Sequence, residues 1–536
     1  MLAVPVYRRD QQQSCESGMQ ARGKQAWLGH GRLADWLDRC LVAIAEPDRR
    51  NRAVAVLLLA YGLIWTLYAI ISKSSQDIHF DMGEAVVWSR ETIFGTPKHP
   101  PLSAWLVGFW FHLFPRQDWA YYLLSLTLIC GALWAAWRIA TRYLDGDKLA
   151  IALALLSFIP FYNFLGLKYN ANTVMIPTWA VATWAFLRSY QTRSFGWAVA
   201  AGVAAAAVML AKYWGVFLLA SFGIAAIADP RRALYFRSIA PWVSILAGLL
   251  ALSPHLAWLA SNTETVTYAM DSHRSSLASA SLHIPEYLLG AIGYVVVPLI
   301  LVGVVAGVSP KALRDTWMPR DPDRRMAVLI LVLPVLLPIA GAVLARSQIV
   351  SLWVMASMTL LPVVLLSSPE VAISRLAARR IMALALAFPL IAVIAAPGVA
   401  LVIHRHGLKH DSAYYELLTR EVEKDWRSAT AAPLRLVGGA NQLINGIAFY
   451  SADGPSTFDV ESPSSTPWAD EPRWTREGVA WVCPVDDAVC VKAIEAYSAK
   501  VPNRRRTEVT LTRTFLGIPG APHSYLIIVA PPVPSR

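Results

Sequence analysis

Charged side chains are scarce in this sequence, 16% of 536 residues against the roughly 25% of an ordinary soluble domain. Together with a hydrophobic share of 56%, that scarcity argues against a soluble globular chain. Cysteine is sparse as well. Of the five, Cys15, Cys40 and Cys130 lack metal-like spacing, so no cysteine-held metal is expected. Cys483 and Cys490 are the one close pair, and they suit a disulfide in an oxidising compartment as well as two free thiols. Acids are outnumbered, 36 Asp and Glu to 48 Lys and Arg. The basic excess lies mostly in short segments between apolar runs, where it orients a membrane protein, and no nucleic-acid partner is expected.

Long apolar runs are what the sequence does have. A run of about 18 or more apolar residues spans a bilayer as a helix, because hydrocarbon leaves the backbone no other hydrogen-bond partners. The first, at 53–71, follows some fifty polar or mixed residues and precedes no small-residue cleavage site, so it reads as a span and not a signal peptide. Further runs fall at 119–142, 149–166, 173–188, an Ala-rich hairpin at 196–228, 236–258, 285–308, 326–345, 349–367 and 381–403. The expected fold is a polytopic α-helical membrane protein of about eleven spans.

Arg49, Arg50 and Arg52 place segment 1–52 in the cytoplasm, as a helix or tail, and the first loop, 72–118, outside. The apolar stretch 100–114 is short for a span and is expected along the interface. Region 53–404 is then the transmembrane unit and 405–536 a small periplasmic α/β domain. Within it, a helix near 412–426, strands at 434–437, 446–450, 479–482, 507–515 and 524–529, and a helix near 487–499 are expected, with a Pro/Ser-rich connector at 455–472.

The first outer loop concentrates chemistry. If 81–90 is helical, Asp81, Glu84 and Trp88 share a face. Two convergent carboxylates suit a divalent cation or a base with a raised pKa, although a solvated acidic face has the same pattern. Lys98 and His99, stiffened by Pro100-Pro101, suit a phosphate. At matching depth lie Lys168, Tyr169, Asn170, Asn172, Lys212, His255 and Arg346, polar groups at outer helix ends that either serve a ligand or reach for the interface.

The loop motifs resemble the GT-C class of integral-membrane glycosyltransferases, in particular the protein-mannosyltransferase-like and lipid A aminoarabinose transferase-like branch. The likeness runs from Asp81 through Lys98-His99-Pro100-Pro101-Leu102 and Trp105 to Lys212 and Pro254-His255. Within it, Phe114 to Ala120 and Lys168 to Thr173 are similar to a bacterial subgroup. The resemblance implies an inverting enzyme at the outer face of the inner membrane. Its donor would be a polyprenyl-phosphate sugar and its acceptor an envelope glycolipid such as lipid A or lipopolysaccharide, another glycan or a protein. Asp81 would be the general base, and Lys98, His99, Lys212 and Arg346 would meet the lipid phosphate. Met82 stands where relatives often carry a second acid, and His99 where aminoarabinose-type relatives have lysine. Cofactors beyond a divalent cation at Asp81 and Glu84 are not implied. A flippase or a lipid-binding scaffold would share many of these features, but no inverted repeat or broken helix pair argues for transport.

Overall fold

The apolar runs become helices for the reason that makes them spans: each backbone group finds its partner within its own segment. In the computed structural model, which describes residues 31–271, 273–307, 309–406 and 414–533, all eleven expected runs are helical. Among the described residues six helices are long and apolar enough to cross a membrane: Arg50–Ser72, Asp118–Ala140, Ala240–Ser261, Leu277–Ala306, Pro322–Ala345 and Arg375–His406. Ala171–Thr192 accompanies them, with shorter apolar helices at Phe195–Ala211, Tyr213–Ala228 and Ser351–Leu366. The stretch anticipated along the interface forms the short helix Leu102–Leu113.

One expected span is broken, contrary to the expectation of no broken helix pair. Gly146–Ser157 and Pro160–Leu167 meet at 80°. Pro160 supplies no N–H, and buried Asn163 takes over the broken ladder: its Nδ2 donates to the carbonyls of Ser157 and Ile159, and its Oδ1 accepts from the Phe164 amide. The bend turns the chain toward Lys168. Small residues allow close packing elsewhere. A Cβ on Gly202 would lie 2.2 Å from the Ser244 carbonyl oxygen, so Phe195–Ala211 and Ala240–Ser261 touch through backbone. Fully buried Trp65 meets Phe164 and Phe388 edge-on at 4.8 and 5.6 Å, joining three segments.

A helix at 31–45 precedes the first span, and its Asp38 bonds Arg375 and Arg379. Residues 1–30, including Cys15, lie outside the described residues, as does Ser412 in the predicted C-terminal helix, which is seen as Tyr415–Ala429.

The C-terminal part carries five strands, β1 (Leu436–Gly439), β2 (Ser456–Asp459), β3 (Val479–Pro484), β4 (Arg505–Phe515) and β5 (Ile518–Ala530), in the order β2-β1-β3-β5-β4. β1 runs parallel to β2 and β3, and β5 antiparallel to β3 and β4. Side chains alternate along β3: Ala480 and Val482 face the helices Tyr415–Ala429 and Asn441–Tyr450, while Val479, Trp481 and Cys483 face Ala488–Ser498. Cys483 and Cys490 form a disulfide. The strand expected at 446–450 is instead the helix Asn441–Tyr450, because Leu443, Ile444, Ile447 and Ala448 recur at helical spacing and are buried together. β2 falls inside the expected connector; four residues are too few to announce a strand.

Candidate functional site

The site is organised by the helix Phe80–Glu91. His79 caps it, its Nδ1 accepting from the Asp81 amide at 3.2 Å. Asp81 in the first turn meets residues delivered by the broken span and the start of Ala171–Thr192. Lys168 Nζ lies 2.8 Å from its Oδ2, Asn170 Nδ2 donates to the same oxygen at 3.1 Å, and His79 Nδ1 stands 3.4 Å from Oδ1. Burial alone would raise the Asp81 carboxyl, but His79 and Lys168 outweigh it and hold the group well below the ordinary carboxylate range. Asn170 also caps Ala171–Thr192, accepting from the Asn172 and Thr173 amides, so that helix start and the carboxylate share one anchor. Asn172 Oδ1 in turn accepts from Lys212 Nζ at 2.7 Å.

Glu84 is buried one turn on and pairs with Lys98 at 2.6 Å. Burial disfavours charge on Lys98, but Glu84 more than restores it, and the ammonium is held above its ordinary range. The predicted acidic face therefore exists, with one lysine assigned to each acid. That balance leaves Asp81 and Glu84 poorly matched to a shared divalent cation, which needs uncommitted carboxylate oxygens. Among the described residues the one grouping of His, Cys, Asp and Glu with metal-like geometry is Glu461, Asp487 and Cys490, and its cysteine is consumed in the disulfide.

Lys98 and Lys212 open onto one cavity of about 400 Å³, shared with His99, Tyr213, His273 and Trp353. Lys212 Nζ sits 4.9 Å from the Trp353 ring centre, a cation–π contact that fixes the ammonium at the wall. His99 is pushed down to about 3 by burial, then by Lys212. At neutral pH it is an uncharged wall group, so the charge expected of His99 falls to Lys98. An unfolded chain binds a proton on this histidine below about pH 6.5, and the folded one does not until about pH 3. Stability from this source is thus complete above pH 6.5 and lost as pH falls toward 3. His99→Gln should flatten the fall in melting temperature between pH 7 and pH 5; an unchanged slope would disprove the assignment.

The other predicted residues are dispersed around this centre. His255 is buried, its Nδ1 2.6 Å from the Phe94 carbonyl oxygen and its Nε2 3.0 Å from the Tyr213 hydroxyl, which ties the outer loop to Ala240–Ser261. Tyr169 is a core residue whose hydroxyl donates to the Ser103 carbonyl. Arg346 caps Pro322–Ala345 with φ +50°, and its side chain is exposed beside Ser347, which lines the cavity.

Residues 98–258 match the model of the dolichyl-phosphate-mannose-protein mannosyltransferase family. The chain is 24% identical over 285 residues to the lipid A galacturonosyltransferase RgtD of Rhizobium johnstonii, covering 52% of this chain and 58% of that protein, under two thirds of its length. Its fold aligns with ArnT from Cupriavidus metallidurans bound to undecaprenyl phosphate, with TM-score 0.58 and 14% identity over 88% of this chain and 97% of that one. Apo ArnT aligns with TM-score 0.57 and 12% identity over the same shares. The chain shares the fold of ArnT.

The family match takes in Lys98, Lys168, Asn170 and Lys212 and begins after Asp81 and Glu84. What holds that earlier helix is the C-terminal domain, through residues to which sequence reasoning gave no role. Buried Asp77 takes Arg513 from β4 at 2.5 Å and the Glu416 amide at 3.0 Å. Tyr450 donates to Asp118 and accepts from the Ile78 amide. Arg90 donates to the Gly454 carbonyl, and Arg116 to those of Ser451 and Ala452. Arg116 and Asp118 lie inside the stretch Phe114 to Ala120; their partners, more than 300 residues away, gave no local signal.

Proposed function

We propose that this protein transfers a sugar from a polyprenyl-phosphate donor to an envelope acceptor, with inversion, at the outer face of a bacterial inner membrane. The observation that carries the reading is the pairing of a two-lysine cavity with an ionised carboxylate: Lys98 and Lys212 share one wall, and Lys212 connects through Asn172 and Asn170 to Asp81. Two cations aimed into a partly apolar cavity suit a lipid phosphate as it departs with growing negative charge. Asp81 is the acceptor's base. Its low proton affinity keeps it ionised throughout the working pH range, ready to align the attacking hydroxyl and take its proton as the new bond forms. Lipid A modification by the curated relative and undecaprenyl phosphate bound to ArnT favour a polyprenyl carrier and a glycolipid acceptor. The disulfide favours a C-terminal domain in the periplasm, and Arg49, Arg50 and Arg52 before the first span favour an amino terminus in the cytoplasm.

Comparing envelope lipids of a deletion strain and its complemented parent by mass spectrometry tests the reaction. One sugar should disappear from one glycolipid and return on complementation; identical profiles would sink the proposal. Lys212→Met keeps the stem and removes the charge. Loss of a charge-assisted contact worth about 1.5–3 kcal/mol should weaken polyprenyl phosphate binding by roughly ten- to a hundredfold, read by titration calorimetry. Equal affinity of the variant and parent would remove Lys212 from the phosphate site.

A further inference from the structure

The end of the bundle away from Asp81 carries a second concentration of positive charge. Arg138 lies twenty residues along Asp118–Ala140 from the end held by Tyr450, about 30 Å at 1.5 Å per residue. Arg142 follows it, and Arg188 comes from the same end of Ala171–Thr192. Arg138 and Arg142 both repel Arg188. Among the described residues no carboxylate pairs with any of the three. The nearby acids are committed: Asp229 and Asp323 hold Arg231, and Asp321 accepts from the Arg324 amide.

Arg188 Nη1 is buried without a hydrogen-bond partner. Arg142 borders a cavity of about 520 Å³ whose wall also holds Tyr143, Gln191, Arg231 and Arg324 and the carboxylates Asp321 and Asp323, so that three arginines face two acids; the Tyr143 hydroxyl and Gln191 Oε1 are likewise buried and unpartnered. Trp184 and Trp197 pack alongside, with Arg138 5.6 Å from the ring centre of the first and Arg188 5.4 Å from that of the second. Uncompensated guanidinium groups, an unused hydroxyl donor and an unused amide beside tryptophans call for a ligand that brings phosphate oxygens, hydroxyls and an apolar anchor together.

We infer that Arg142, Arg188, Tyr143 and Gln191 form a binding site for the headgroup of an anionic phospholipid of the phosphatidylglycerol type, in the leaflet opposite the Asp81 site. The phosphate meets the arginines and Tyr143, and a glycerol hydroxyl serves Gln191 in either orientation of its amide. Zwitterionic headgroups lack the net charge, and free phosphate lacks both the hydroxyl and the anchor.

The test uses the full chain in detergent, titrated with phosphatidylglycerol, phosphatidylcholine or inorganic phosphate while the melting temperature is followed. Phosphatidylglycerol should stabilise at least tenfold more potently than phosphatidylcholine. Arg142→Gln, at an exposed helix end where folding is safe, should weaken that response roughly fivefold, the worth of one arginine at an anionic surface. Equal potency of the two phospholipids, an unchanged response in Arg142→Gln, or equal stabilisation by inorganic phosphate would each overturn the inference.

Discussion

Asp81→Asn should reduce sugar transfer by two to four orders of magnitude while leaving the protein folded. The substitution is isosteric and removes charge where Lys168 and Asn170 both donate to one oxygen. An amide accepts a hydrogen bond from an attacking hydroxyl but takes no proton, so kcat should collapse while the KM for the lipid donor stays within about threefold. The alternative is that Asp81 merely neutralises Lys168. Pairing Asp81→Asn with Lys168→Met separates the two readings: a purely structural role predicts recovery once both charges are gone, and the catalytic role predicts none. More than a tenth of parental turnover in Asp81→Asn would end the base assignment. Because Asp81 is held below the ordinary carboxylate range, it stays ionised above about pH 4, and any loss of rate between pH 5 and 7 must come from another group.

Gly83→Ala is expected to be nearly as damaging, for a different reason. A Cβ at Gly83 would stand 2.6 Å from the Asn445 carbonyl oxygen and 2.8 Å from its carbon, both helix backbone that cannot swing aside. One methyl group therefore forces Phe80–Glu91 away from Asn441–Tyr450, at a cost of about 1–3 kcal/mol for overpacking. The displaced helix carries Asp81 and Glu84 with it, and a shift of an ångström at a reacting group costs about a hundredfold in rate. Gly131→Ala is the control, since a Cβ there meets nothing within 4 Å. The expected pattern is a lower melting temperature and transfer reduced at least tenfold in Gly83→Ala, with Gly131→Ala unaffected. If both behave as the parent, this docking contact does not position the site.

How much of this was legible in the sequence depends on the distance over which each signal acts. The helices were, because hydrocarbon solvent imposes one local rule on every span. The loop acids and lysines were legible as a group, since they sit within some twenty residues of one another. Which acid takes which lysine was not: Asp81 and Glu84 look equivalent in sequence, yet Glu84 has Lys98 nearby while Asp81 draws Lys168 from beyond the bend at Pro160. The loss of charge at His99 follows from burial, which spacing does not report. Asn441–Tyr450 was misread because its apolar residues were judged over five positions, too short a window to separate a period of two from one of 3.6.

The clamp on Asp77 also fixes when the protein becomes competent. Its partner Arg513 lies 436 residues downstream and leaves the ribosome long after the first loop. At about 5–20 residues per second, the first loop waits on the order of half a minute or more after its own synthesis before that contact can form. The membrane bundle is in place by then and already offers Lys168 and Lys98 to the helix bearing Asp81 and Glu84, but the clamp on Asp77 waits for the β4–β5 hairpin to fold back on it. Translation order thereby acts as a timer: an unfinished chain holds every residue of the cavity and still lacks the piece that sets them in register.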